Sequence, residues 1–366
     1  MKVLVLGFTK ISYMPYMNFY IEQLLKTNCK IHLVYWARDL NPDIEVPSEI
    51  KTYCFKEPML DSKPLIKKIP YFIKYRNFVK KIIKNNKFEL IIVLHSTPGV
   101  LLSDILIRKF KGKYIIDYRD FTYENISLYK KVVHKLINNS AITFVSSKGY
   151  LKFLPNSDNI YISHNLQFHS HDERNVRRKK PRENNPIRIR FWGLIRHVEI
   201  NKQIINRLGN DKRFELHYHG REQKSGQILR KYVEENSINN VFFHGEYRPS
   251  ERIDFASKTD LLHNIYENDI KTKYAMANKF YDGITFYLPQ LCNKNSLMGQ
   301  EVESNGLGIM LDPNDNNFAD AIYEYYKNID WDEFNLKCEI KLNKIIEEYN
   351  HGKDILNSLL SGKKVK

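Results

Sequence analysis

Short apolar runs without alternation recur along the chain, each separated from the next by a stretch with helical spacing. Residues 3–7 (VLVLG), 31–36 (IHLVYW), 90–94 (LIIVL), 113–117 (KYIID) and 141–145 (AITFV) form the set in the first half. A strand with one wet face alternates apolar and polar positions. These runs do not, so both faces are expected to be covered. A polar loop holding Tyr13 and Pro15 leads into a helix expected over 18–25. Strands separated by helices indicate a parallel sheet clothed on both sides, an α/β, Rossmann-type arrangement. Gly7 ends the first strand, but the full GxGxxG fingerprint is missing, so no dinucleotide is inferred. The second half restarts with 187–192 (IRIRFW) and continues through 214–220, 241–245, 260–266 and 288–292. It closes on a helical stretch over 317–360. Between the halves, residues 169–186 (HSHDERNVRRKKPRENNP) are polar and nearly free of apolar side chains, as a linker is. The basic cluster within it, 177–182, could meet lipid or nucleic acid, although short basic runs on linkers are most often just solvated.

Length agrees with two domains: 366 residues exceed one typical core, and 42% hydrophobic residues suffice to build two. The expected division is a first domain over 1–168, a linker over 169–186, a second domain over 187–345 and a final helix over 346–366. Cys29, Cys54, Cys292 and Cys338 are widely spaced, with no CxxC and no histidine cluster at ligand spacing. That pattern suits reduced thiols in a cytosolic protein and argues against zinc. The opening MKVLVLGF runs directly into polar sequence, too short for a signal peptide, and no run of about 18 apolar residues occurs.

The formal net charge of +16 calls for an anionic partner. From residue 63 to residue 87 there are nine Lys or Arg and no acid. Pro70 is placed to open a helix there, with Tyr71, Tyr75, Phe78 and Ile82 on one face and Lys74, Lys80, Lys81, Lys84 and Lys87 on the other. Such a helix suits an anionic bilayer surface, where each nearby cation contributes roughly 1 kcal/mol. The plainer reading is a helix packed on its own sheet with a solvated lysine face.

Open α/β sheets place chemistry in the loops after strand ends. His95 begins one such loop (HSTPG), and Asp117-Tyr118-Arg119-Asp120 forms another. His95 and Asp120 could touch an acceptor hydroxyl as base or orienter; the plainer alternative is a cap or a turn hydrogen bond. Residues 273–288 (KYAMANKFYDGITFYL) read as a helix start with Asn278 and Lys279 at its mouth and Asp282 one turn further in. Backbone N–H groups and Lys279 can meet phosphate oxygens, and Asp282 can accept from a ribose diol. The alternative is an amphipathic helix with Phe280, Ile284 and Tyr287 inward. No D-x-D follows a strand, and the nearest match, Asp315-Asn316-Asn317, lies in a polar loop. Cationic side chains rather than a metal are therefore expected to meet a diphosphate, and no cofactor is expected.

The NKFYD segment resembles the NK-x-x-E signature of GT-B glycosyltransferases, the family 4-like group of bacterial polysaccharide synthesis, with Asp282 in place of Glu. The likeness extends along most of the chain. Family members carry a histidine where His95 stands and an H-D or R-D pair where Arg119 and Asp120 stand. Residues 145–150 resemble a VSEGL turn, with Ser147 for Glu, and residues 162–165 resemble an IPNG entry to the hinge. After 187–192, Gly193, Arg196 and Lys202 resemble the family's strand-Gly-Arg-Lys, which clamps the donor diphosphate; here the Arg lies three residues past the Gly. Gly220-Arg221-Glu222 resembles the GxG turn, and 241–245 resembles V-x-F-x-G, which puts Gly245 in the donor site and the loop Glu246-Tyr247 near the nucleotide base. Glu267 is the nearest candidate for the sugar-contacting acid. Gly306-Leu307-Gly308 before Asp312-Pro313 resembles the closing G-x-G-x-x-x-x-P turn.

The resemblance implies two Rossmann-like domains facing across a cleft, with the final helix crossing back to pack on the first. It implies a peripheral protein on the inner face of the cell membrane, in capsular or exopolysaccharide biosynthesis. The donor would be a nucleotide-sugar held by the second domain, and the acceptor a hydroxyl of a lipid-linked saccharide, with retained anomeric configuration. Gly7, Tyr13, His95 and Arg119 would face the acceptor; His95, Asp120, Arg196 and Lys202 would serve the chemistry. Rival readings are a nucleotide-sugar epimerase or a phosphorylase on the same fold, or a basic nucleic-acid-binding protein. The lysine-rich segment argues against the epimerase, and a phosphorylase normally brings a pyridoxal-binding lysine in a much longer chain. Nothing resembling RNP, KH or C₂H₂ patterns appears, so nucleic acid is not expected.

Overall fold

The computed structural model describes residues 1–39, 43–60, 63–166 and 186–362. The chain divides into two compact units, Met1–His164 with Glu348–Lys366, and Asn165–Glu347. Apart from Pro186, the stretch expected as a linker over 169–186 lies outside the described residues, as does the basic cluster 177–182.

The first unit holds a seven-stranded parallel sheet. Its strands are β1 (Lys2–Leu6), β2 (Lys30–Ala37), β3 (Lys51–Lys56), β4 (Leu90–Leu94), β5 (Tyr114–Tyr118), β6 (Ile142–Val145) and β7 (Ile160–Ile162). Their spatial order is β3-β2-β1-β4-β5-β6-β7. β1 pairs with both β2 and β4, Val3 opposite Ile31 on one side and Leu90 on the other. The unbroken apolar runs are explained by this placement: Val3 to Leu6 and Ile91 to Leu94 are inaccessible to solvent. Each such side chain contributes about 1.5–3 kcal/mol relative to exposure. β3 and β7 escaped the sequence pattern because they are edge strands. In β3 (KTYCFK) only Phe55 is buried, and β7 is half-buried throughout.

The helix Leu65–Lys84 starts earlier than Pro70, with Pro64 at its cap, so Pro70 lies inside it. Proline has no N–H for the carbonyl one turn back, that of Ile66. Ile66 is 75% exposed, so water can satisfy that carbonyl. The buried stripe is Phe72, Tyr75, Val79 and Ile82, not the one read from sequence: Tyr71 and Phe78 sit at its half-buried margins. Tyr75 donates to the Gly7 carbonyl at 2.7 Å and stacks on Trp36, which anchors the helix to the sheet. Lys74, Lys80, Lys81 and Lys84 are exposed, although Lys74 pairs with Glu57 at 2.6 Å. The last turns of the helix Trp331–Leu360 belong to this unit. There Tyr349 meets Phe19 edge-on, Lys353 pairs with Glu22 at 3.1 Å, and Asn357 donates to Gln23 at 3.0 Å.

The second unit holds six parallel strands: β8 (Ile187–Trp192), β9 (Phe214–His219), β10 (Val241–Phe243), β11 (Leu261–Asn264), β12 (Gln290–Asn293) and β13 (Gly308–Leu311). Their order is β10-β9-β8-β11-β12-β13. β13 occupies the stretch read from sequence as a turn; Gly308 opens it, where a Cβ would lie 2.0 Å from the Gln290 carbonyl oxygen, so only glycine fits. One face of the sheet is apolar, carrying Ile187, Ile189, Phe191, Phe214, Leu216 and Tyr218. The other carries Arg190, His217 and His219, an unusual set for a parallel sheet.

Aromatic stacking resolves that polar face. The His219 ring lies 4.2 Å from His244 and 4.5 Å from Phe255, both near-parallel, and His217 stacks on Phe242. Arg190 approaches His219 Nε2 at 2.8 Å, an arrangement open only to a neutral acceptor imidazole. Burial, with Arg190 adding repulsion, pushes His217 down to about 3; burial, then the neighbouring His244, does the same to His219. Below the ordinary histidine value of 6.5 the unfolded chain therefore binds protons that the folded unit refuses, and stability falls as pH falls. Thermal unfolding should accordingly drop from pH 7 to pH 5, where carboxylates are still ionised, and His217→Phe should lessen that drop. Equal pH sensitivity in the variant and the parent would contradict it.

Candidate active site

In the second unit three successive strands end at glycines in left-handed backbone: Gly193 after β8 (φ +127°), Gly220 after β9 (φ +146°) and Gly245 after β10 (φ +79°). Gly193 N–H donates to the His219 carbonyl and Gly220 N–H to the Gly245 carbonyl, so the three ends are tied together. A Cβ on Gly220 would sit 1.7 Å from the Gly193 oxygen. Only glycine permits that approach. The three glycines singled out from sequence thus form one constellation at the carboxyl edge of the sheet, where open α/β sheets bind ligands.

The helix Asn278–Thr285 enters beside it and is buried all round, from Lys279 onward. Phe280, Ile284 and Tyr287 are inward as the amphipathic alternative has them, but Lys279 and Asp282 are buried as well, so the helix has no polar outer face there. Gly283 lets it press against β12, since a Cβ there would lie 2.3 Å from Gln290 Nε2. Lys279 is turned inward: its ammonium lies 3.6 Å over the Phe191 ring and 4.8 Å from that of Tyr266. Phe191 lies near the end of β8 and Tyr266 follows β11, the pair at which the strand order of the sheet reverses. Desolvation, then repulsion from Arg196, holds the Lys279 ammonium well below the ordinary lysine range. Asp282 is likewise buried and engaged. Its Oδ2 accepts from Trp192 Nε1 at 2.8 Å, and Arg252 lies 3.4 Å from both oxygens. Burial raises its pKa. Free protein therefore already supplies the donors that Asp282 was expected to take from a ribose.

The remaining expected residues scatter around this edge. Arg196 is exposed in the loop after β8. Lys202, on the helix Val198–Leu208, lies 5.3 Å over the Tyr232 ring and 3.9 Å from Glu199. Asn278, exposed at the helix start, accepts from Asn165 at 2.9 Å. Tyr247 packs edge-on against Phe255, and burial pushes its hydroxyl up to about 12. Arg221 follows Gly220 directly and is half-buried, its carbonyl accepting from Ile195 N–H. Glu267 reaches His197 Nδ1 at 3.2 Å. Sequence reading missed His197. It stands at φ +63°, and its buried Nε2 has no hydrogen-bond partner among the described residues. A histidine one residue past Arg196 in a glycine-led loop was the available signal.

In the first unit, the loops after β1, β2, β4 and β5 enclose a pocket of about 310 Å³. It straddles β1 and β4, the reversal point of this sheet. Of the expected residues, Tyr13, His95 and Asp120 line it together. His95 Nδ1 accepts from Thr97 N–H at 3.3 Å, which places the ring proton on Nε2. Nε2 lies 3.3 Å from Thr122 Oγ1 and 3.9 Å from Asp120 Oδ2. Burial lowers the His95 pKa and keeps the imidazole neutral. In this tautomer His95 presents a donor, so it orients an oxygen rather than accepting a proton. Gly7 and Arg119 lie beneath the pocket. Gly7 is buried under Met14, and Arg119 is 5% exposed. Arg119 pairs with buried Asp117 at 2.6 Å, donates to Ser163, and packs 4.8 Å over the ring of Tyr16, which does line the pocket. Its role is support rather than direct contact. Two lining cations, Arg38 and Lys68, were not singled out from sequence. Arg38 directly follows an apolar strand, the same signal that marked His95.

The backbone at His95 has φ 86° and ψ 149°, a region nearly reserved for glycine and costing a side-chain-bearing residue of order 1–3 kcal/mol. His95→Gly should therefore be more stable than His95→Ala by about 1 kcal/mol, reversing the usual order of the two residues, as chemical denaturation would read. Alanine proving the more stable would contradict the strain. Among the described residues no group of three or more His, Cys, Asp or Glu is placed to hold a metal ion.

This pair of parallel α/β units is the GT-B fold. The chain resembles a sucrose-phosphate synthase from Thermosynechococcus elongatus at a TM-score of 0.75 and 13% identity, over 99% of this chain and 100% of that one. It also resembles Anabaena HepE in complex with UDP (TM-score 0.68, 12% identity, 98% and 100% covered). A third likeness is to trehalose-6-phosphate from E. coli bound with UDP-2-fluoro glucose (TM-score 0.71, 8% identity, 98% of each). No family model matches the sequence, and no curated protein does.

Proposed function

We propose that this chain is a nucleotide-sugar-dependent glycosyltransferase whose second unit holds the donor. The observation that carries the reading is the glycine-ended edge of β8, β9 and β10 beside the inward helix start at Asn278. That edge offers close backbone approach for a diphosphate, the start of the helix at Asn278 offers N–H groups, and Arg196 and Lys279 are the cations. Its whole-length likeness to proteins bound with UDP or a UDP-sugar supports the same reading. Negative charge grows on the diphosphate as the sugar leaves. Cations fixed beforehand stabilise that charge without reorganising at the moment of reaction. An arriving diphosphate also favours the protonated form of Lys279, so its charge is summoned by the ligand.

In this reading the acceptor hydroxyl enters the first-unit pocket, where His95 Nε2–H and Asp120 orient it, and transfer proceeds with retention. The acceptor is a lipid-linked saccharide of capsular or exopolysaccharide assembly, met at the inner face of the cell membrane. The helix Leu65–Lys84 supports this placement. Ile66, Ile69 and Ile73 form an exposed stripe, 75%, 45% and 52% accessible, beside the outward lysines. No helix among the described residues is long and apolar enough to cross a membrane.

A panel of UDP-, GDP- and dTDP-sugars should raise the unfolding temperature for one nucleotide class. Lys279→Met should leave the free protein at least as stable, because burying a charge is costly, yet weaken that protection about tenfold or more. No stabilisation by any donor would sink the proposal. Changing Lys74, Lys80, Lys81 and Lys84 together to Gln should reduce sedimentation with anionic vesicles while donor protection persists. Vesicle binding equal to the parent's would return the helix to a packed, solvated role.

A further inference from the structure

A ribose differs from a deoxyribose by one group, the 2′-hydroxyl. Proteins with open α/β sheets that detect this hydroxyl use an Asp or Glu whose oxygens are open to it. Among the described residues of the second unit, two acids are buried, Asp260 and Asp282. Asp260 precedes β11, at the amino edge of the sheet, and pairs with Arg188 at 3.0 Å. Asp282 lies beside the glycine-ended edge, one turn into the helix Asn278–Thr285, and is 5% exposed.

Its carboxylate is already engaged. Oδ2 accepts from the Trp192 indole at 2.8 Å, and Arg252 lies 3.4 Å from both oxygens. Trp192 is not free to swing away, because it is 2% exposed and packs in an apolar cluster with Phe255, Leu262, Phe286 and Leu288. Were Oδ2 to turn to a 2′-hydroxyl, the indole N–H would be left buried without an acceptor, so the exchange cancels its own gain. The other acids at this edge do not substitute for Asp282. Glu222 is held by Arg230 at 2.6 Å, and Glu246 is exposed. Glu267 is met by His197, with 45% of its side chain in water. A hydrated carboxylate merely trades water for a hydroxyl and discriminates weakly. We propose that the donor site does not detect the 2′-hydroxyl, and takes 2′-deoxyribonucleoside diphosphate sugars on equal terms with ribonucleoside ones. The proposal rests on the glycosyltransferase reading for the presence of a nucleotide donor. Asp282 is then a positioning residue: it fixes Trp192, whose chain neighbour Gly193 begins the glycine edge.

Calorimetric titration of the full chain with matched pairs tests this: UDP with 2′-deoxy-UDP, 5-methyl-UDP with dTDP, and GDP with dGDP. In whichever pair binds, the deoxy member should bind at least one third as tightly as its partner. A carboxylate open to the hydroxyl would instead favour the ribo member by about tenfold or more. Asp282→Asn keeps an oxygen for Trp192 and should leave the ratio within the pair unchanged. Trp192→Phe keeps a ring in the cluster and releases Oδ2, so the ribo member should gain threefold or more over the deoxy one. A ribo preference above threefold in the parent, a ratio moved by Asp282→Asn, or no gain in Trp192→Phe overturns the proposal. The parent titration needs no variant to fold. A ribo preference overturns this inference alone, whereas no binding by any pair overturns the glycosyltransferase reading and this inference with it.

Discussion

The contact between Gly220 and the Gly193 carbonyl governs the second unit. With no side chain at either position, the ends of β8 and β9 close to a distance at which a Cβ would sit 1.7 Å from oxygen. The same constraint reaches β10, because Gly220 N–H donates to Gly245. What results is a row of backbone turned into left-handed conformations at one sheet edge, with the Gly193 and Gly220 N–H groups held by the neighbouring strand ends. The loop carrying Arg196 and His197 and the loop carrying Arg221 both leave from this edge. The place from which both loops leave is set by those glycines.

Against that open edge the unit buries charge. Lys279 and Asp282 stand one turn apart on a helix with no exposed face beyond its first residue, a costly arrangement unless each finds a partner. Asp282 has Trp192 and Arg252; Lys279 lies over ring faces, and the nearby Asp282 carboxylate only partly offsets the desolvation that makes it lose its proton readily. In the first unit the buried pair Asp117 and Arg119 shows the contrasting case. Both charges are met inside the protein, Arg119 also by Ser163, so the pair fixes loop geometry beneath the pocket. The distinction separates a buried charge suited to a ligand from one suited to architecture.

Much of the fold was legible in sequence, because central parallel strands must be apolar on both faces. β4 falls where its apolar run does, and β8 has the bounds read from sequence although Arg188 and Arg190 occupy one of its faces. β3 and β7 were not legible, since an edge strand buries too little to leave a pattern. The stripe of the lysine-rich helix was misread through Tyr71 and Phe78, large apolar residues that tolerate half-burial when their neighbours Phe72 and Val79 take the core. In the site, the glycines at 193, 220 and 245 were readable because backbone geometry demands a residue type. Arg119 was singled out as well, but its burial beneath the pocket was not readable, because Ser163, which helps to hold it, is distant in sequence. Arg38 was lost for a different reason: an arginine after a strand looks like any surface cation until the rings of Phe8 and Trp36 are seen to hold it.

The central claim is that the glycine-ended edge of the second unit holds a nucleotide diphosphate. Hydrogen–deuterium exchange with and without saturating UDP-sugar tests it at the residues concerned. The account predicts slowed exchange at the amides of Gly193 to Arg196, Gly220 to Arg221, Gly245 to Tyr247 and the first turn at Asn278, with β6 and β7 unchanged. Slowed exchange confined to the first unit, or none in a chain that demonstrably binds the nucleotide, would contradict it.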